Sequence, residues 1–297
     1  MKREKKFSKP FDLAHSIMFN QLEGEYTAAL GAPGIFVEKI NRRVRLKDGT
    51  GGEMDSAYIA NPDNKILFER AAVALEHQSI PVGTIKKDKI CDYDVQLVVD
   101  HHLPTLILIA SHLIDKNSIK EIVRTPSDIT RLYFLDLGEE NITQRLSTVR
   151  EIINSNHEVS RETALNLGII VIYAPRDKAR EITEEVVGLY LKIVDVLDSD
   201  MEYTLYSVIT IVIDAYFDDE NEYRRLINMM DGKTSVESKE LTASHLSTVE
   251  SLQWAKEDLD ETKNQLDETK NQLDEANDRI STLEAEVQML KEELTKK

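Results

Sequence analysis

Apolar positions change their period several times along the first half of the chain, and each change predicts an element. After Ser8-Lys9-Pro10, a helix start with proline in the first turn, Phe11, Ile17, Met18, Leu22 and Ala29 recur at helical spacing. The stretch from Gly34 to Leu46 alternates in its second half, Ile40, Val44 and Leu46 against Lys39, Arg43 and Arg45, which predicts a first strand. Asp48-Gly49-Thr50-Gly51-Gly52 then reads as a tight connection. Two apolar runs follow, Glu53–Ala60 and Ala71–Ser79, and the Asn61-Pro62-Asp63-Asn64 turn after the first joins them as a predicted hairpin. Residues 84 to 102 carry Ile85, Ile90, Val95, Val98 and Val99 at helical spacing, and Pro104 stops them. Thr105–Ala110 is apolar on both faces, as a central strand is, and Arg131–Leu137 reads as another. From Glu139 to Met230 the pattern is mainly helical, with Gly168–Pro175 fitting either a strand or a buried helix.

A different period governs the end of the chain. Leu252, Leu259, Leu266, Leu273, Ile280, Val287 and Leu294 recur every seventh position, with Ala255, Thr262, Thr269, Ala276, Leu283 and Leu290 as the companion positions of the seam. A strict seven-residue repeat specifies a left-handed coiled coil. A parallel pair would set Asp258 against Lys263, Arg279 against Glu284 and Glu286 against Lys291. The rod would run roughly 65 Å at the helical rise, and a helix this polar gains little unless a partner covers its stripe. The expected product is a homodimer.

The hairpin carries the chemistry. Alternation places Ala72, Ala74, Glu76 and Gln78 on one strand face and Val73, Leu75 and His77 on the other. Glu76 and Gln78 therefore point the same way, and the hairpin can bring Asp55 beside Glu76. Two carboxylates and an amide form an oxygen donor set suited to Mg²⁺ or Mn²⁺, with water and a substrate phosphate filling the remaining positions. An Asp on one strand and Glu-x-Gln on the next resemble the PD-(D/E)XK nuclease superfamily, in its transposase-like, recombination-promoting branch, with Gln78 where Lys is usual. The resemblance spans residues 7 to 140. It implies a restriction-endonuclease-like α/β fold, a mixed sheet flanked by helices, with Asp55 and Glu76 as metal ligands and Gln78 orienting the attacking water. It also implies an acidic residue from the first helix region, for which Asp12, Glu23, Glu25 and Glu38 are candidates. Asp63 belongs to the hairpin tip rather than to the site.

Charge modifies this picture. With 37 Lys plus Arg against 54 Asp plus Glu, the chain carries a net charge of −17, whereas phosphate contacts by cations dominate nucleic-acid affinity. A local basic surface on an acidic body could come from Arg42, Arg43, Arg45 and Lys47 before the hairpin and Lys86, Lys87 and Lys89 after it; ordinary solvated surface is the other reading of these residues. Cys91 is the only cysteine, which excludes an intramolecular disulfide and a thiolate zinc cluster. His101, His102 and His112 lack partners at metal spacing and read as surface or strand-end residues. No phosphate-binding glycine loop or Gly-x-Ser-x-Gly elbow occurs, no segment has the apolar length of a membrane span, and Met-Lys-Arg-Glu-Lys-Lys lacks a signal-peptide core. A cytoplasmic protein is expected.

The organisation expected is a nuclease-like core over 1–140, a mainly helical extension over 141–230, a Ser/Thr/Gly/Lys-rich linker over 231–245 and a coiled coil over 246–297. Two functions fit it. One is a dimeric, Mg²⁺-dependent DNA endonuclease; the other is a catalytically inactive nuclease fold serving as an oligomeric scaffold or binding module.

Overall fold

The computed structural model describes residues 3, 5–7, 9–45, 51–61, 69–78, 84–111, 121–125, 128–155 and 158–252, together with 266, 270 and 279. Two compact units divide the chain, Met1–Thr242 and Ala243–Lys297. The first is α/β. Helix α1 (Pro10–Ala29) starts with its proline in the first turn and Asp12 beside it, both suited to a helix N-terminus. There follow β1 (Ile35–Lys39), β2 (Arg43–Arg45), β3 (Gly51–Glu53), β4 (Ser56–Asn61), β5 (Ala71–Gln78), α2 (Thr84–His101), β6 (Thr105–Ser111), β7 (Glu121–Thr125) and β8 (Asp128–Asp136). Six strands form one mixed sheet in the order β1-β4-β5-β6-β8-β7, and β2 with β3 makes a separate ribbon.

The predicted hairpin is present: β4 and β5 pair antiparallel, with Ser56 opposite Leu75 and Ala60 opposite Ala71. β5 then pairs parallel with β6 across the connection through α2. The alternation read from the sequence sets the two sheet faces. Ala57, Ile59, Ala72, Ala74, Ile107 and Ile109 form one cluster with Ile90, Tyr93 and Leu97 of α2. On the opposite face Phe36 and Tyr58 stack on each other, Phe19 of α1 meets both at an angle, and His77 lies against His15 of the same helix.

The second half is helical: α3 (Glu139–Asn154), α4 (Arg161–Ile172), α5 (Ala179–Ile193), a 3₁₀ turn at Val194–Val196, α6 (Ser199–Tyr216) and α7 (Glu220–Asp231). Ser160, Asp198 and Asp219 cap α4, α6 and α7 through backbone N–H groups of the first turn. α6 is buried along nearly its whole length, as expected of a helix that is apolar on most sides. The ambiguous stretch from Gly168 is helix through Ile172, and Gly168 permits close packing on α1: a Cβ there would meet the Met18 methyl at 2.7 Å.

Three expectations are corrected. The single strand expected over Gly34–Leu46 is two among the described residues, β1 (Ile35–Lys39) in the main sheet and β2 (Arg43–Arg45) paired with β3. Asp55 occupies a bend immediately before β4 rather than the strand itself. The segment 231–245, expected as a linker, is helical from Val236 onward. Its small polar residues are caps and buried anchors: the Ser235 and Ser238 hydroxyls donate to Glu202 Oε2 at 2.7 and 2.9 Å, and Thr242 bonds Ser207. The heptads from 253 onward, save residues 266, 270 and 279, lie outside the described residues, as do the Asn61–Asn64 turn beyond Asn61, Lys47, His112 and the side chains of Arg45 and Lys86. Among the described residues no helix is long and apolar enough to cross a membrane.

Candidate functional site

Continuing the antiparallel register by one residue beyond Ser56 and Leu75 sets Asp55 opposite Glu76. The two carboxylates are locked reciprocally. Asp55 N–H donates to Glu76 Oε1 at 3.1 Å, and His77 N–H donates to Asp55 Oδ2 at 2.7 Å. The backbone at each acid thus fixes one oxygen of the other. Glu76 is fully buried and Asp55 half-buried, so the pair has an inner and an outer member. Gln78, two residues on, shares the face of Glu76 and is also buried. Its register neighbour on β6 is Ser111, which in turn neighbours Asp136 on β8. These residues stand at the carboxyl ends of parallel strands, where α/β sheets place their ligands.

Two tyrosines report the negative charge collected there. Tyr93, projecting from α2, donates to the Glu53 carbonyl at 2.9 Å. Burial raises its pKa, and the charges of Glu76, Asp55 and Glu53 raise it further. Tyr173, at the end of α4, is raised well above the ordinary value by burial and by the neighbouring Tyr26, then by Asp55 and Asp12. Asp12 and Asp55 therefore act on one hydroxyl. The other acids considered from the first helix region are engaged elsewhere: Glu23 with Lys39, Glu25 with Arg161 and Glu38 with Arg70. Asp12 is the candidate among the four whose charge acts on Tyr173.

Behind the hairpin lies a layer of polar side chains that sequence reasoning did not identify. His15 bonds Tyr26 through Nδ1 at 2.9 Å and Ser56 through Nε2 at 3.2 Å, stacks on His77 at 6.0 Å between centroids, and His77 meets Tyr173 edge-on at 5.0 Å. Burial lowers the His15 pKa to about 4, so the ring is neutral near pH 7. Ser56 adjoins Asp55 in the chain, and His77 holds Asp55 through its backbone, so this layer backs the carboxylate pair. Its only sequence signal was a polar residue, His15, on the apolar stripe of α1.

The basic residues divide. Arg42 pairs with Glu53 at 2.8 Å and donates to the Asp55 carbonyl at 3.4 Å. Arg43 is exposed, and Lys87 is half-buried near the start of α2. Among the described residues no group of three or more His, Cys, Asp and Glu side chains is placed to hold a metal ion together. The oxygen donors of Asp55, Glu76 and Gln78 still fit a cation such as Mg²⁺, which takes one or two carboxylates and completes its shell with water and phosphate. Fold and site together define an α/β protein with a backbone-locked acidic pair at the end of its central hairpin. Comparison with protein-family models, curated proteins and solved structures finds no match.

Proposed function

We propose that this protein is a Mg²⁺- or Mn²⁺-dependent DNA endonuclease of the transposase-like PD-(D/E)XK group. The observation that carries the reading is the reciprocal locking of Asp55 and Glu76 at the end of the β4–β5 hairpin. The order α1, β1, β4, β5, α2, β6, with β5 and β6 parallel, supports it, because a restriction-endonuclease-like core expects that succession. Asp55 and Glu76 would hold the cation, and Asp12 would extend the acidic site from α1. When bound, such a cation lowers the pKa of water and neutralises charge developing on phosphate. Gln78 positions the attacking water by accepting a hydrogen bond from it; an amide does this without the positive charge of a lysine. The attacking water's oxygen would bond to phosphorus as its proton passes to solvent, the P–O bond to the leaving strand would break, and solvent would supply that oxygen's proton. A coiled coil formed by the heptads would pair two such sites in a homodimer.

A second reading, an inactive nuclease fold acting as an oligomeric scaffold, is favoured by Gln78 at the lysine position and by the net charge of −17. Cleavage of plasmid and single-stranded DNA with Mg²⁺ or Mn²⁺ separates the two. The nuclease reading expects Asp55→Ala and Glu76→Ala to abolish cutting and Gln78→Ala to lower it about 10²-fold, the scale of a misplaced reacting group. Sedimentation of the same samples should give the mass of two chains. A folded native protein that cuts neither substrate leaves the scaffold reading in place.

A further inference from the structure

We propose that the cleft between α1 and the end of β1, walled also by β3 and β4, is a subsite for a DNA backbone phosphate flanking the scissile one, contacted by Lys39, Arg43 and the amides of Asn20 and Asn41. It rests on the nuclease reading above and assigns that site its substrate-holding surface. The cleft encloses about 280 Å³, and three cations, Lys39, Arg42 and Arg43, line it against one carboxylate, Glu53. On a chain with net charge −17 this is a local reversal of sign.

The cleft adjoins the acidic pair. Ala57, on its wall, lies two residues from Asp55 and so on the same side of the extended chain. Arg42 links the two places directly through Glu53 and the Asp55 carbonyl. The three cations have different work. Arg42 is committed to Glu53. Lys39 bonds the Asn20 carbonyl at 2.9 Å and Glu23 at 3.0 Å, with its ammonium 5.8 Å from the Phe19 ring centroid, so its charge is held at the cleft. Arg43 is exposed and has no ion pair among the described residues.

Neutral donors complete the set. The Asn41 carbonyl oxygen accepts from Arg43 N–H at 3.0 Å, which fixes that amide at the turn into β2. Its NH₂ group remains a donor, and Asn20 brings a second side-chain amide from α1. A guanidinium fork, an ammonium and amide donors around a cleft of this size match a phosphodiester with its sugar.

The test is fluorescence anisotropy of a short labelled DNA duplex with the full chain, using Ca²⁺, which takes the same oxygen ligands as Mg²⁺. Arg43→Ala and Lys39→Ala are compared with the native chain and with Arg150→Ala, an exposed cation paired with Glu185 on the helical half. The expected result is several-fold weaker binding for each cleft variant, with the slope of log affinity against log salt shallower by about 0.9, one phosphate contact, and no change for Arg150→Ala. Cleft variants that bind with native affinity and slope, while Asp55-dependent cutting persists, would overturn the subsite and leave the nuclease reading intact. A native chain that neither binds nor cuts DNA would overturn both.

Discussion

His15 shows how one residue ties the acidic pair to the helices. Its ring spans Tyr26 and Ser56, and burial holds its pKa at about 4 against 6.5 in an unfolded chain. Between those values the unfolded state binds more protons than the folded one, so stability is present above pH 6.5 and is lost as the pH falls toward 4. This residue alone should remove about 2 kcal/mol between pH 7 and pH 5. Urea unfolding of the native chain and of His15→Gln checks it: the variant should lose that much less over the same interval, and parallel pH profiles would contradict the account. At this scale Asp55, Glu76 and Gln78 were legible because a two-residue period fixes which side chains share a strand face. The choice of Asp12 among four acids was not, since it depends on Tyr173, whose approach to α1 leaves no local pattern.

Elements meet where side chains leave room for backbone. Gly24 stands at a break in α1, beside Glu23 with φ of 35°, and a Cβ on it would lie 2.9 Å from the Phe36 Cβ on β1. That neighbour is rooted in its strand, so Gly24→Ala must push α1 and β1 apart. A Cβ on Gly168 instead meets the tip of Met18, which can swing aside. Thermal unfolding should show Gly24→Ala costing about 1–3 kcal/mol, the range of overpacked cores, and Gly168→Ala less; equal losses would contradict the reading. The buried strands β5 and β6 were legible because a strand covered on both faces is apolar nearly throughout. The strand expected over Gly34–Leu46 contains β1, but the end of β1 was not legible, because it is an edge strand with four of its five residues exposed and burial imposes no pattern on it. The segment 231–245 looked like a linker because Ser and Thr also serve as buried hydrogen-bonding groups. Glu202, which collects Ser235 and Ser238, lies more than thirty positions away and gives no local cue.

Across the whole first unit, strong acidity and a basic cleft are compatible because their placement differs. Carboxylates are paired with arginines and lysines over the helical half, as in Arg150 with Glu185, Arg180 with Glu222 and Arg225 with Glu184, where they are solvated surface pairs of small energetic weight. Asp55 and Glu76 are instead each held by a backbone N–H group, and Arg43 stands exposed in the cleft without an ion pair among the described residues, while Lys39 shares its charge with Glu23. Composition alone could not show this, since net charge averages over both populations. The central claim is that the locked carboxylates hold a divalent cation. Calorimetric titration of Mn²⁺ into the native chain and into the Asp55→Ala, Glu76→Ala double variant tests it most directly. Saturable binding by the native chain that disappears in a folded double variant is the predicted result. Equal binding by both, or none by the native chain, would contradict the account.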